Sequence, residues 1–224
     1  MPPMRIWITR TLPEADATAA RVAARGHAAI VAPVLEARPV AGVAVDLAGV
    51  DAVAFTSAHA ITAFAALTTR RDLPVFTVGD TTAAQALAAG FAQVRSADGN
   101  ASTLAELIAR EQRDGRLVLH PTAREPAADL TALLADHGIQ ATALAVYETL
   151  PTPLSAPPAD ADALFVHSAR GAAVAATLIA DAGRLDLEAY AISPAAAAPL
   201  AALGLTRLDA APFPNEASLL DLLK

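Results

Sequence analysis

The sequence contains no cysteine, few aromatic residues and fewer basic than acidic side chains. Without cysteine it can form no disulfide framework, thiolate nucleophile or zinc ribbon. Its 23 Asp and Glu residues outnumber 16 Lys and Arg, and a net charge of −7 argues against a general nucleic-acid-binding surface, which needs a dense basic face. With 54% hydrophobic residues over 224 positions, the chain can still bury the core of one large or two smaller domains.

Several well-known functional motifs are also missing. The chain has no G-x-G-x-x-G dinucleotide fingerprint, no phosphate-binding Walker sequence and no G-x-S-x-G nucleophile elbow. Gly79 stands alone at its strand end, and the five histidines show no i, i+4 pair that could ligate a metal ion. We therefore expect chemistry that needs neither a cofactor nor a metal ion.

Two uncharged runs approach the length of a membrane span. Residues 52–69 and 189–206 carry no charge, but polar residues, Gly or Pro interrupt each run near its middle. The start of the chain lacks the apolar core of a secretion signal, since Arg5 and Arg10 bracket only a strand-length apolar segment. We expect no membrane contact and a cytoplasmic location.

A repeated order of elements indicates the fold class. Short β-branched runs at residues 5–10, 50–55, 75–78 and 117–119 each lead through a polar corner into an Ala- and Leu-rich segment, and three of these segments stop at Gly26, Gly90 and Gly138. Alternation of apolar strands and helices at this spacing is typical of parallel sheets covered by helices on both faces. The predicted class is α/β.

Internal similarity indicates two copies of one module. The segment from Asp51 to Ala58 recurs from Asp162 to Ala169, and the steps from Phe76 to Gly90 equal those from Tyr190 to Gly204. Residues 32–36 similarly match residues 144–148. We predict two similar domains rather than a solenoid. The proline-bearing segments 36–39 and 148–153 hold equivalent places and are predicted to connect the domains, since Pro cannot donate to a central sheet ladder.

Four polar corners follow predicted strands, and they form two matched pairs. They are Thr56-Ser57-Ala58, Gly79-Asp80-Thr81-Thr82-Ala83, His167-Ser168-Ala169-Arg170 and Ser193-Pro194-Ala195. Ser, Thr and Asp are preferred helix N-caps, and capping alone would explain each corner. Parallel sheets also bind ligands at the carboxyl ends of their strands, so a shared binding site is the second interpretation.

Tyr147 breaks the symmetry of the duplication. It precedes Glu148, whereas the matching position in the other copy is Leu35. One interpretation is a buried aromatic residue with a satisfied hydroxyl. The other is a phenol that acts as a weak acid or hydrogen-bond donor.

The ordered motifs together resemble one enzyme family over essentially the whole chain. They are Ile8-Thr9-Arg10, the segment from Asp51 to Ala58, Val78 to Ala83, Val146-Tyr147-Glu148-Thr149, Phe165 to Arg170 and Ile192-Ser193. Their order and spacing are similar to those of the uroporphyrinogen-III synthases. The segment from His120 to Arg124 departs from the Gly-containing loop common in that family.

The resemblance implies two flavodoxin-like domains with parallel sheets, joined by a two-stranded linker. The first domain would comprise residues 1–37 and 152–224, and the second residues 38–151. It also implies a monomer that takes a small-molecule substrate, hydroxymethylbilane, with possible transient contact with hydroxymethylbilane synthase.

The implied reaction is cofactor-free cyclisation of hydroxymethylbilane to uroporphyrinogen III, with loss of water and inversion of ring D, which would make the protein a hydro-lyase of tetrapyrrole (haem) biosynthesis. On the family pattern Tyr147 would be the proton donor. Thr56, Ser57, Thr81, Thr82, Ser168, Ser193, Arg10, Arg124 and Arg170 would bind the substrate. Since the protein and the polycarboxylate substrate are both anionic, binding would depend on local Arg side chains and helix N-terminal amides.

One other function is compatible with this sequence, and a third is disfavoured. A non-catalytic sensor of the same form could bind a tetrapyrrole or another anion and signal by closing. A metabolite-binding pair from a transport system would need an export signal, and we find none.

Overall fold

The computed structural model describes residues 2–111 and 116–223. It divides into two compact units. The first unit comprises Met1–Glu36 and Leu150–Lys224, and the second comprises Ala37–Thr149. The chain therefore begins in the first unit, forms the second, and returns to the first.

Strands and helices alternate through most of the chain. In order they are β1 (Arg5–Ile8), α1 (Glu14–Ala24), β2 (Ala28–Val31), β3 (Leu35–Pro39), β4 (Val50–Phe55), α2 (Ala58–Leu67), β5 (Val75–Thr77), α3 (Asp80–Ala88), β6 (Val94–Ser96), α4 (Ala101–Glu111), β7 (Leu117–Ala123), α5 (Leu130–Asp136), β8 (Gln140–Pro151), β9 (Ala163–Val166), α6 (Ala169–Ala182), β10 (Glu188–Ala191), α7 (Pro194–Ala197), β11 (Arg207–Ala210) and α8 (Glu216–Leu220). A 3₁₀ turn at Ala198–Leu200 extends α7.

The first unit contains a five-stranded sheet in the order β11-β10-β9-β1-β2, and each neighbouring pair is parallel. Counted along the chain within the unit, this order is 2-1-3-4-5, the order of flavodoxin-like doubly wound sheets. Trp7 packs in a core cluster on one face, and Ile6 and Ile8 pack in a second cluster. Because successive side chains point to opposite faces, both faces of the sheet are covered.

The second unit contains a six-stranded sheet in the order β3-β8-β7-β4-β5-β6. The pairs β7–β8, β4–β7, β4–β5 and β5–β6 are parallel. When strands are counted from β7 instead of β4, the order β8-β7-β4-β5-β6 is again 2-1-3-4-5. The second unit is thus a circular permutant of the first.

Strand register supports this equivalence. Ala163 of β9 pairs with Ile6, and Ala52 of β4 pairs with Val118, so the repeated segments occupy the same place in their own sheets. The α/β class with two mostly parallel sheets is confirmed. The two-stranded linker and the expected domain bounds remain predictions.

Helix ends follow the local sequence. The Gly residues after α1 and α6, Gly26 and Gly183, have φ angles of +82° and +64°, a left-handed conformation that costs glycine little. Among the described residues, no helix combines the length and apolar character needed to cross a membrane.

Candidate active site

The predicted polar corners all lie where a parallel strand ends and a helix begins. In the second unit β4 leads to α2 and β5 to α3, and in the first unit β9 leads to α6 and β10 to α7. Since β4 neighbours β5 and β9 neighbours β10, the two corners of each matched pair lie side by side at the carboxyl end of their own sheet, which we call its polar edge. That edge is where doubly wound sheets bind ligands.

Thr56 lies at the end of β4 and contacts a buried histidine. The distance from its Oγ1 to Nε2 of His120 is 3.3 Å, and His120 is only 2% exposed. Burial lowers the pKa of His120 to about 4, although the charge of Asp129 acts in the opposite direction. The imidazole is therefore neutral at pH 7 and shares one hydrogen bond with the Thr56 hydroxyl.

The other hydroxyls of the second unit differ in exposure. Ser57 caps α2, and its Oγ accepts a hydrogen bond from the amide of His59 at 3.2 Å. Thr81 is exposed in the first turn of α3, whereas Thr82 is buried. Thr81 can therefore meet a ligand without rearrangement, while Thr82 packs in the core.

Tyr147 lies on β8 beside the start of α2. Its side chain belongs to a core cluster, the residue is 9% exposed, and its ring centroid lies 5.8 Å from that of His59. Its carbonyl accepts a hydrogen bond of 2.8 Å from the amide of Arg124, which fixes the backbone at this point. Within the described residues, its hydroxyl donates no hydrogen bond to a side chain.

Arg124 brings a positive charge to the same place. Its Nε lies 3.5 Å from Oε2 of Glu148, and its side chain is 58% exposed. The structure thus brings Tyr147, Arg124 and the corner that begins at Thr56 into one region of the second unit. The exposed guanidinium has further donors with which to meet a carboxylate.

In the first unit, Ser168 and Ser193 are helix N-caps. Ser168 Oγ accepts from the amide of Gly171 at 3.1 Å, and Ser193 Oγ accepts from the amide of Ala196 at 3.3 Å. Arg170 is exposed in the first turn of α6. Capping uses one acceptor site of each hydroxyl and leaves its proton available to another group.

Arg10 follows β1 and is held by a carboxylate from the end of the chain. Its Nη1 lies 3.2 Å from Oε2 of Glu216 and 3.4 Å from Oγ1 of Thr18. Thr18 donates a hydrogen bond of 2.6 Å to the other oxygen of Glu216. Arg10 was predicted as a site residue from its position in the sequence, whereas its two partners, Glu216 and Thr18, were not.

His167 completes this cluster. Its Nε2 lies 3.1 Å from Oε2 of Glu216, and its side chain is 7% exposed. Burial lowers the pKa of His167, although its hydrogen bond to Glu216 opposes the shift. Burial alone would raise the pKa of Glu216, but the hydrogen bonds from His167 and Thr18 and the charge of Arg10 outweigh it and lower this pKa to about 2.

The polar groups described above support only a few kinds of chemistry. Hydroxyls, guanidinium groups and helix N-terminal amides can bind carboxylates, and a phenol can supply a proton. Among the side chains of residues 2–111 and 116–223, no group of three or more His, Cys, Asp or Glu residues is placed to hold a metal ion.

The sequence offered no role for His120, His167 or Glu216, although His167 lies in one of the polar corners and His120 begins the segment that departs from the family pattern. Extension of the internal repeat to these positions would have singled them out, because each residue differs in chemical type from the residue at the equivalent position of the other unit. Strand register makes His120 the equivalent of Ile8 in the other unit, and the repeated segment makes His167 the equivalent of Thr56. Glu216 follows the capping residue Asn215, whereas Ala101 follows the equivalent Asn100.

Comparison with known proteins identifies the family. The profile described as Uroporphyrinogen-III synthase HemD matches residues 16–221. No curated protein matches the sequence significantly.

Two crystal structures share the fold. One is uroporphyrinogen-III synthetase from Helicobacter pylori 26695, with a TM-score of 0.62, 18% identity and 98% of each chain covered. The other is a mutant uroporphyrinogen III synthase from the extremely thermophilic bacterium Thermus thermophilus, with a TM-score of 0.52, 19% identity and coverage of 98% of this chain and 97% of that chain. Because the family profile spans nearly the whole sequence, the chain belongs to the uroporphyrinogen-III synthase family.

Proposed function

We propose that the protein cyclises hydroxymethylbilane to uroporphyrinogen III as a cofactor-free hydro-lyase. The observation that carries this proposal is the match of the family profile over residues 16–221, together with a polar edge on each sheet that offers hydroxyls and guanidinium groups to carboxylates. The proposal includes a cytoplasmic monomer with the domain bounds predicted above.

The first step is loss of water from the substrate. Protonation of the hydroxymethyl oxygen lets the adjoining pyrrole expel it, and the C–O bond breaks to leave an azafulvene electrophile. We assign the proton to Tyr147. Its fixed backbone, its position beside the start of α2 and a hydroxyl that donates no hydrogen bond to a described side chain support this role.

The second step selects the carbon that attacks. Unguided closure bonds the free terminal carbon of ring D to the azafulvene carbon and gives the unrearranged isomer, uroporphyrinogen I. Attack at the substituted carbon of that ring instead forms a spiro intermediate. The bond from this carbon to its original methylene bridge then breaks, the methylene rejoins at the free terminal carbon, and loss of the proton from that carbon completes the inverted ring. Holding a flexible chain in one geometry supplies several kcal/mol of selectivity without an additional catalytic group.

Binding of the substrate carboxylates is assigned to the predicted residues of each unit. In the second unit the proposal names Thr56, Ser57, Thr81, Thr82 and Arg124. In the first unit it names Arg10, Ser168, Arg170 and Ser193. The half-exposed side chain of Arg124 and the surface position of Thr81 support direct contact, whereas the burial of Thr82 favours an indirect role.

Product analysis tests the function directly. Hydroxymethylbilane generated in the assay is added to the purified protein, and the oxidised porphyrin isomers are separated. We expect the type III isomer in excess, and only the type I isomer in a control without protein. Type I alone in the presence of folded protein would overturn the proposal and favour a binding function instead.

A further inference from the structure

Glu216 has more polar contacts than an ordinary surface carboxylate. It meets Arg10 at 3.2 Å, His167 at 3.1 Å and Thr18 at 2.6 Å, and Arg21 lies 3.7 Å away. Its side chain is 19% exposed. A carboxylate so enclosed needs these partners, since an unpaired buried charge is costly.

Its contacts come from separate parts of the first unit. Arg10 follows β1, Thr18 lies within α1, His167 follows β9, and Glu216 occupies the first turn of α8. A further hydrogen bond of 2.6 Å, from the hydroxyl of Thr9 to the carbonyl of Phe165, joins the ends of β1 and β9. The carboxylate therefore links α8 to β1, α1 and β9 at the polar edge of the first sheet.

The hydrogen-bonding roles within the cluster follow from its protonation. Glu216 is ionised at pH 7 and only accepts, so His167 donates from Nε2. Its Nδ1 is then an acceptor, and it is buried without a partner among the described residues. Protonation of Nδ1 would bury an N–H without an acceptor, so His167 stays neutral.

Arg10 is only partly used by this cluster. Nη1 makes its contacts with Glu216 and Thr18, and within the described residues Nε and Nη2 make no hydrogen bond. Arg10 and Arg21 together carry two positive charges against the one negative charge of Glu216. The cluster therefore retains an excess positive charge and a partly exposed guanidinium edge for an incoming carboxylate.

From this geometry we infer that Glu216 is a positioning residue that holds Arg10 in place to bind a carboxylate of the substrate. The inference deepens the proposed function and rests on it. Glu216 need not touch the substrate, because it acts through the guanidinium of Arg10. Holding the side chain in advance lowers the entropy lost on binding.

Steady-state kinetics of Glu216→Gln test the inference. The amide keeps the size of the side chain but removes its charge and one acceptor. We expect KM for hydroxymethylbilane to rise about fivefold and kcat to change less than about twofold, because uniform binding is lost. The matched control is Asp221→Asn, which removes a carboxylate that directly follows α8 and pairs with Arg25 at 3.3 Å, and which should leave KM unchanged.

A double-mutant cycle separates positioning from a merely structural role. If Glu216 acts through Arg10, the double variant with Arg10→Gln should have the KM of Arg10→Gln alone. Additive increases in KM, or an unchanged KM in Glu216→Gln, would overturn the inference. A loss of thermal stability without a change of KM would do the same.

A second variant applies if Glu216→Gln does not fold. Thr18→Val removes the hydrogen bond of 2.6 Å and keeps every charge of the cluster. We expect KM to rise about twofold in the wild-type background and not to rise further in the Arg10→Gln background. An unchanged KM in this variant would contradict the inference.

If the kinetics contradict the inference, the isomer formed by the wild type shows whether the proposed function or only the role of Glu216 is wrong. If the wild type forms no type III isomer, the proposed function is wrong. If it forms type III and the variants above retain its KM, only the role of Glu216 is wrong.

Discussion

The two units share a scaffold and differ at their polar edges. Asp162 accepts a hydrogen bond of 2.8 Å from the amide of Arg5, and the equivalent Asp51 accepts one of 3.0 Å from the amide of Leu117. These bonds join equivalent neighbouring strands. At the carboxyl ends of the strands, in contrast, Tyr147 replaces the equivalent Leu35.

Further differences fall at the same edges. The second unit has a buried imidazole where the first has Ile8, and the first has a carboxylate where the second has Ala101. One architecture thus accommodates different polar groups at its strand ends without a change in strand order. Function in such folds lies in the groups at the sites rather than in the fold itself.

The largest effect is expected at the position where the symmetry is broken. Tyr147→Phe removes the proposed proton donor and keeps the ring that packs beside His59. We expect kcat for formation of uroporphyrinogen III to fall about 100-fold, the lower range for general acid catalysis. Single-turnover kinetics with hydroxymethylbilane measure this.

Tyr190→Phe is the matched control in the first unit. Tyr190 is fully buried, and its hydroxyl donates to Glu188. Its loss should lower stability by about 1 kcal/mol and leave kcat within about twofold. Unchanged turnover in a folded Tyr147→Phe variant would remove Tyr147 as donor.

The buried imidazole of the second sheet should make stability depend on pH. The pKa of His120 falls from an ordinary 6.5 to about 4 in the folded protein, so folding favours the neutral form. Its contribution is fully present above pH 6.5 and is lost as pH falls toward 4. In His120→Leu, the loss of unfolding free energy between pH 7 and pH 4.5 should be smaller by about 2 kcal/mol.

Urea unfolding of the two proteins at both pH values measures this difference. His167, whose pKa is also lowered, is present in both proteins and cancels in the comparison. An equal loss in the wild type and the variant would show that His120 is not the group responsible.

The repeated aspartates should have similar structural roles in the two units. Replacement of Asp51 or Asp162 by Ala leaves a strand amide without its acceptor and should cost about 1.5 kcal/mol in each case. Hydrogen bonds from Arg5 also hold the pKa of Asp162 below its usual value, so its contribution is lost in acid. Thermal unfolding of the two variants tests this prediction. If only one of the two substitutions lowered stability, the two aspartates would not have equivalent roles in their sheets.

The smallest effects are expected at the serine caps. Ser57→Ala and Ser168→Ala should each lower stability by about 1 kcal/mol, because each hydroxyl accepts from a helix amide. Substrate binding by the same hydroxyls would add a rise in KM of about threefold. If stability falls and KM is unchanged, capping is the whole role of that serine.

Much of the fold could be predicted from sequence, because its signals are local. Apolar runs, polar corners and Gly stops predicted the α/β class, and the recurrence of the segment from Asp51 at Asp162 predicted two similar modules. Pattern reasoning did not predict that the second unit is a circular permutant of the first. Strand order depends on pairing between distant segments, which no short motif records.

The candidate site was predictable only in part. Hydroxyls and Arg residues next to strand ends were found from their positions in the sequence, and the resemblance to a family added a role for Tyr147. Their partners were not found, because an ion pair between residues far apart in sequence has no local signature.

The sequence by itself determined the two α/β modules, the polar corners at their strand ends and the asymmetry at Tyr147. Only the tertiary structure decided that Glu216 meets Arg10, 206 residues away, and His167, 49 residues away. The physical reason is that hydrogen bonds and ion pairs act over about 3 Å. Strand order and helix packing alone bring such distant residues within that range.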